Sequence, residues 1–479
     1  MAGAPHRRGI MSREMDPDAL RYTSSLEFDS EIFDAVIYVN IAHIRELCRL
    51  KLLDPASADG AATILKQLLT ERPKLDISDE DIHVVIERYL SQHYPEVASM
   101  LSLGKSRNDA VVASIKLKLK ERLLQLYSQL LDTVERLLRR SISESETIFP
   151  IYTHLQRALP ATYGFILQNH ALRLHRYTAN IRHVIGLCDE SPLGSAAGAG
   201  TDIPLDRMRL AASLGFERIS LNALEATASR SFILQALSTL LGIAVDISSI
   251  AEEMVIYSSE EFRLLTMPDE LSATSSIMPQ KRNPVVPEIM RTKAGEILGL
   301  LTAVSTILMR QPSGYNLDLQ QVTPKLWTAL DDMMESLGIL SKIVDLVVVD
   351  VERAFRSCMA PVTAVMLANH MTLKYGIPFR KAHGFAGRIS RILSSGELSR
   401  EKLREALTES GIDLALTVDE VLGVMEPRRA VGSYLGPGSS NPVEVRRVAE
   451  LGLGRIATEK RWVENRMSAF RDRLARLIK

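Results

Sequence analysis

The sequence predicts an all-α protein of three helical domains, with a central bundle of unusually long helices. Three observations predict it. Aromatic residues make up only 5% of the chain, while Leu, Ala, Ile, Arg and Glu abound, a composition that suits helices packed on helices. Ile115, Leu119, Leu123, Leu126, Leu130, Val134 and Leu137 form one apolar stripe of helical period. Four further long segments open on Pro or Asn, residues that start helices.

The elements follow in order. The first 110 or so residues read as shorter helices, with a polar break from Glu71 to Asp79. A long helix begins near Asp109 and runs about 30 residues, or roughly 45 Å. Arg122, Glu135 and Arg139 lie off its apolar stripe. A second helix is predicted over Pro160 to Cys188, with proline in its first turn. A third runs from Asn222 to Tyr257, capped by Asn222 with Glu225 three residues on. Pro287 to Met309 and Pro324 to Arg356 again open on proline. Five such helices make a long bundle. After Pro361 the pattern shortens, punctuated by Gly376-Ile377-Pro378, Ser394-Ser395-Gly396 and Leu435-Gly436-Pro437-Gly438. With 479 residues, about three domains are expected: 1–110, 111–360 and 361–479.

Composition excludes several classes. The 58 basic and 58 acidic residues cancel, which argues against a chain built to neutralise phosphates or to hold an acidic membrane surface. Hydrophobic residues at 46% and charged ones at 24% are ordinary for a globular chain. Cys48, Cys188 and Cys358 lie far apart, so neither a disulfide framework nor a structural zinc site is expected. The ten histidines show no paired-ligand spacing, and His83, His170 and His175 read as core or surface residues; no metal or cofactor is expected. No apolar run reaches the roughly 18 residues of a membrane span. Arg7, Arg8 and Arg13 are followed by no apolar stretch, so the N-terminus does not read as a secretory signal. A soluble, cytoplasmic protein is expected.

Three polar stretches have no purpose in bundle packing. Gly104-Lys105-Ser106-Arg107-Asn108-Asp109 sets polar groups beside the free N–H groups of a helix start, where the dipole favours an anion; a plain capped helix start reads as well. Tyr152-Thr153-His154-Leu155-Gln156-Arg157 holds a Thr-His pair able to bind a carboxylate and move a proton, or a histidine simply satisfied in a loop. Ser275-Ser276-Ile277-Met278-Pro279-Gln280-Lys281-Arg282-Asn283-Pro284 lies between two bundle helices, with Pro287-Glu288 after it. Its serines, lysine and asparagine between prolines fit a flexible linker poorly and a site on a rigid scaffold well.

These residues carry a resemblance. Ser275 to Pro284 matches the S-S-x-M-P-x-K-x-N-P signature of the fumarase/aspartase superfamily. Its Met-Pro-Gln-Lys form, with Ser106-Arg107-Asn108-Asp109 and the Tyr152 to Ala158 block, is similar to the argininosuccinate lyases. Glu80-Asp81-Ile82-His83, Asp206-Arg207, Tyr315-Asn316, Asp318-Leu319-Gln320, Gly376 to Arg380 and Ala382-His383 fall in the family order, from about Tyr22 to about Val445.

The resemblance implies a helical homotetramer with a twenty-helix core. Each active site would draw three blocks from three subunits. The implied reaction is β-elimination of argininosuccinate to arginine and fumarate, in arginine biosynthesis. Ser275 would be the base, with Lys281 and loop N–H groups stabilising its alkoxide. His154 would donate the proton to the leaving nitrogen, oriented by Glu288. Lys281 and Asn283 would hold the carboxylate. Ser106, Arg107, Asn108, Thr153, Tyr315, Gln320 and Asn40 would bind the substrate.

The chain departs from the family pattern in places. The W-G-G-R-F motif is absent, with Arg7-Arg8-Gly9 nearest to it. Asn40 stands for a serine, Ser102-Leu103 for His-Thr, and Ala110 and Leu159 for glutamines. Ser229-Arg230-Ser231 stands for Asp-Arg-Asp, Thr274 for glycine, and Thr323 for a lysine, with Lys325 close by. These changes gather at the parts that would grip the arginine end, while the elimination residues are intact. The alternatives are a relative that releases fumarate from another amine, of adenylosuccinate or aspartate type, and a non-catalytic structural protein of the lens-crystallin kind.

Overall fold

The computed structural model describes residues 13, 15–73 and 79–479. Arg7, Arg8 and Gly9, and residues 74–78 of the polar break, lie outside the described residues.

The architecture is helical. The first long helix spans Arg107–Ser143, 37 residues, and at 1.5 Å per residue it is about 55 Å long. Its stripe is buried as predicted: Leu119, Leu126, Leu130 and Leu137 are sealed from solvent. The Thr323–Leu346 helix packs beside it, and the Ser231–Ser258 and Val285–Leu308 helices pack on each other and on Thr323–Leu346. The Pro442–Leu477 helix returns along it, with Gly452 against Leu138 and Tyr127 Oη donating to Glu459 Oε2 at 2.7 Å. One apolar core runs from Leu26 and Ile37 through the bundle to Val463 and Phe470. A smaller core gathers Leu367, Phe385, Ile389, Leu403 and Val421.

Three predicted helices are interrupted. Pro160 does not open a helix; it lies in a strand, Gln156–Thr162, antiparallel to Ile148–Thr153. The β-branched and aromatic residues of Ile148 to Thr153 favour strand. Pro150 faces Pro160, so two missing N–H groups share one rung. Helix begins at Tyr163, capped by Thr162 Oγ1 accepting from the Phe165 N–H at 3.1 Å, and breaks at Arg176 into Tyr163–His175 and Tyr177–Cys188. Asn222 caps as expected, yet its helix stops at Ala228, and the long helix restarts at Ser231. The Pro324 helix ends at Leu346, where the β-branched Val347-Val348-Val349 run pairs with Leu265–Thr266. Asp350 then caps a new helix, Val351–Ser357.

The expectation that no segment is apolar enough to span a membrane is corrected for Ser231–Ser258. By length and composition this helix passes that test, although half of its most apolar stretch is buried inside the chain. Its Gln, Ser and Thr residues interrupt any continuous run, and only an average over the helix reveals the apolarity. A core helix of a bundle meets the same test.

Candidate active site

The predicted residues gather at the two ends of the Arg107–Ser143 helix. At its N-terminus Ser106 is the cap: its Oγ accepts from the Asn108 N–H at 3.3 Å, and Asp109 Oδ1 accepts from the Ser106 N–H at 2.9 Å. Asp109 Oδ2 also accepts from Gly194 N–H at 3.1 Å and Ala196 N–H at 2.9 Å, pinning a loop beside the block. Arg107 is turned to Asp81 Oδ2 at 2.7 Å, with Glu80 at 3.6 Å. Asn40 is buried, and its Oδ1 accepts from Lys105 Nζ. Burial pushes the Lys105 amine down to about 8. His83 lines the same small polar cavity and is pushed down to about 4 by burial, so it is a neutral packed residue. His170 and His175 likewise sit beside Glu253 and Glu459.

Tyr315 and Gln320 join this end, with Gln320 Nε2 donating to Thr23 O at 3.0 Å. The phenol of Tyr315 is raised by burial, lowered by Arg230, and raised by Asp29, Asp81 and Glu80 around it. Three residues of this end, Ser25, Asp29 and Arg230, were not assigned a role from sequence. Ser25 Oγ donates to Asp29 Oδ2 at 2.5 Å, both buried. Burial pushes the Asp29 carboxyl up to about 7, helped by Asp81 and opposed by the Ser25 hydroxyl. Asp81 also caps the Ile82–His93 helix through the Val84 N–H at 2.8 Å. Arg230 is only 3% exposed, yet among the described residues its guanidinium donates solely to the Thr227 and Ser229 carbonyls, at 3.2 and 3.1 Å, and Nε has no partner. A buried cation without a counterion is costly unless an anion joins it. The signal was present in Ser229-Arg230-Ser231, where the flanking acids of the family pattern are gone.

Lys325 lies at the same end, half-buried, and its Nζ donates to Gln321 O in the turn before its helix, at 2.9 Å. Thr323 is buried.

The other blocks lie beyond the far end of the helix. His154 and Leu155 form a two-residue hairpin tip closed by Thr153 and Gln156. Their φ values are +56° and +55°, the backbone of a tight hairpin turn, which side chains such as leucine rarely adopt. The turn holds His154 out in solvent beside Thr153. Among the described residues its ring has no hydrogen-bond partner, so it does not meet Glu288 within the chain.

Ser275 opens a loop closed by two short strands, Ala273–Thr274 and Arg282–Asn283. Its Oγ accepts from the Ile277 N–H at 3.2 Å and the Met278 N–H at 3.1 Å. Two N–H groups aimed at one oxygen are the arrangement that stabilises an oxyanion. Lys281, Asn283 and Glu288 line an open cleft of about 860 Å³, with Arg353 and Arg356 on its far wall. The same two arginines border a cleft against the His154 hairpin, lined by Tyr152, Leu155 and Arg157.

Comparison with known proteins agrees with these blocks. Residues 11–299 match the lyase family model. The chain is 35% identical over 465 residues to an argininosuccinate lyase of Methanothermobacter thermautotrophicus, covering 95% of this chain and 99% of the relative. It is 34% identical to that of Methanoculleus marisnigri, covering 98% and 97%. Its fold is similar to the solved structure of an EDDS lyase in complex with formate, with a TM-score of 0.85 at 22% identity over 94% of this chain and 92% of that one. A class II fumarase from Schistosoma mansoni superposes with a TM-score of 0.71 at 15% identity, covering 87% and 94%. With such identity sustained over nearly the full length of both relatives, and the lyase model spanning more than half of the sequence, the chain belongs to the argininosuccinate lyase family.

Proposed function

We propose that this chain cleaves argininosuccinate to arginine and fumarate by β-elimination, with active sites shared between subunits. The observation that carries the reading is the Ser275 loop, where two backbone N–H groups point at the serine oxygen and Lys281 of the same loop lines an open cleft. A serine hydroxyl is far too weak an acid to ionise in water. Two N–H donors and a nearby ammonium lower the cost of its alkoxide.

Ser275 takes the proton from the carbon next to a carboxylate. The electron pair moves into that carboxylate, held by Lys281 and Asn283 as a dianion. Its return to form the C=C bond expels the amine nitrogen, which takes a proton from His154. Fumarate and arginine leave. Glu288 of a neighbouring subunit orients His154, and Thr153, Ser106 and Asn108 hold the succinyl part.

The leaving group is read from the opposite end of the bundle. Asp29, bonded to the Ser25 hydroxyl, and Asp81 gather near Tyr315 as an acidic cluster that suits a guanidinium. Arg230 takes the α-carboxylate of the same amino acid.

The length of the helix supports sharing. Blocks about 55 Å apart along one straight helix cannot close on one substrate, whereas antiparallel packing of copies brings opposite ends together. The Val285–Leu308 helix supports this reading. It is rich in apolar residues, yet only Pro287, Met290, Ile297 and Val304 are buried within the chain, while Ile289 and Leu298 are 62% and 51% exposed. A homotetramer with a twenty-helix core buries that face.

The test follows fumarate by ultraviolet absorbance with argininosuccinate, adenylosuccinate and aspartate in parallel. Fumarate from argininosuccinate alone is expected, and fumarate only from another substrate refutes the leaving group. Ser275→Ala lowers turnover by about 10²–10⁴-fold. Mixing inactive Ser275→Ala and His154→Asn subunits restores part of the activity; no rescue in verified mixed oligomers refutes the shared site.

A further inference from the structure

Toward the Ser106 end of the bundle, but built from other side chains, lies a cleft of about 370 Å³ between the Phe33–Arg49 helix, the Arg207–Ser213 helix and the end of the Pro442–Leu477 helix. Five arginines line it: Arg45, Arg49, Arg209, Arg473 and Arg476. Glu46 is the only acid among its lining residues. In a chain of zero net charge this is a marked local excess of cation.

The nearby acids are already committed. Glu46, buried, binds Arg49 through both oxygens, at 2.6 and 3.0 Å, and accepts from the Asp206 N–H at 2.8 Å. Asp206 caps its own helix through the Arg209 N–H at 2.9 Å and lies 3.5 Å from the Arg209 side chain. Among the described residues, Arg45, Arg473 and Arg476 have no ion-pair or hydrogen-bond partner.

Helix termini account for only part of this. A cation in the last turn of a helix meets the negative end of its dipole, which explains Arg49 and Arg476. Arg45 and Arg473 lie outside the last turns. Arg209 stands in the first turn of its helix, where the dipole opposes a cation. Arg45 and Arg49 are four residues apart on one wall, and Arg473 and Arg476 three apart on the other. Like charges at these spacings destabilise a helix. The fold gains nothing from facing two such pairs across open space.

We propose that this cleft binds a small polyphosphate-bearing anion, with the guanidinium forks of Arg45 and Arg473 taking phosphoryl oxygens from opposite walls. A planar guanidinium pairs two N–H groups with two phosphate oxygens. Two walls of forks across one cleft suit a ligand with two or more linked phosphoryl groups better than a single carboxylate. No residue of the cleft belongs to the elimination machinery, so the site stands or falls independently of the proposed reaction.

The test uses the full-length protein, with tripolyphosphate and pyrophosphate as probes, titrated by calorimetry at fixed ionic strength. Orthophosphate and fumarate are the comparison anions. Saturable binding of tripolyphosphate is expected, at least tenfold tighter than that of either comparison anion. The Arg45→Gln/Arg473→Gln variant weakens it at least tenfold with turnover of argininosuccinate unchanged, whereas Arg404→Gln, on another helix, leaves it unaltered. If the double glutamine variant fails to fold, Arg45→Lys/Arg473→Lys keeps the charge but loses the forks, and a threefold or greater weakening is expected. No saturable binding up to millimolar probe overturns the proposal. So does equal binding by the variants, or binding of fumarate as tight as that of tripolyphosphate.

Discussion

Replacing Asp29 with asparagine separates stability from substrate recognition. Asp29 is 8% exposed, hydrogen-bonded to Ser25 and close to Asp81. Burial raises its carboxyl from the ordinary 3.8 to about 7, with Asp81 adding to the rise and the Ile82 N–H and Arg107 opposing it. A carboxyl raised in the folded state holds its proton longer there than in the unfolded chain. Its contribution is therefore fully present below the unfolded pKa and is lost as pH rises through about 7. Between pH 5 and 7 this is two pH units at about 1.4 kcal/mol each, or about 3 kcal/mol of stability lost by pH 8. Asparagine does not titrate and keeps the shape. Urea unfolding at fixed protein concentration is the assay, for wild type and Asp29→Asn at pH 5 and pH 8. The variant should gain about 3 kcal/mol relative to wild type on moving to pH 8, and lose affinity for argininosuccinate at the same pH, where an ionised Asp29 meets the guanidinium. A wild-type-to-variant difference that is the same at both pH values would refute the reasoning.

Two other substitutions test neighbouring parts of the site. Asp109→Ala strands three backbone N–H groups, of Ser106, Gly194 and Ala196. At about 1–3 kcal/mol for each buried donor left unpaired, it should cost about 3 kcal/mol or more in urea unfolding, and a loss below about 1 kcal/mol contradicts its pinning role. Arg230→Gln removes a charge-assisted contact of about 1.5–3 kcal/mol, so KM for argininosuccinate should rise about 10- to 100-fold while kcat changes little. Arg230→Lys should recover part of the loss, and an unchanged KM would exclude Arg230 from substrate binding.

Much of the fold was legible in the sequence alone, and so were the blocks proposed to carry the chemistry. The stripe from Ile115 to Leu137 identifies a long buried helix, because helical period is a local property of the chain. The Ser106, Thr153 and Ser275 blocks could be read because each is contiguous, and the capping box at Ser106 formed as its residues require. Tertiary structure decided the rest. The Pro160 segment became a hairpin because its partner, Ile148 to Thr153, lies earlier in the chain and contributes the pairing that a single-segment reading omits. Asn40, a candidate ligand by sequence, is buried against Lys105. Ser25 and Asp29 carried no local signal, and Arg230 carried only the loss of its flanking acids, which does not show that it is buried. Their meaning arises from burial and from neighbours distant in the chain, as Asp81 is from Asp29 and Tyr315 from Arg230, and an ionisable group's charge is set by what surrounds it in space. The sequence by itself thus determined the helical class, the long central helix and the contiguous polar blocks, which are local properties of the chain; only packing decided where helices break into hairpins and which side chains share a pocket or lie at opposite ends of the bundle.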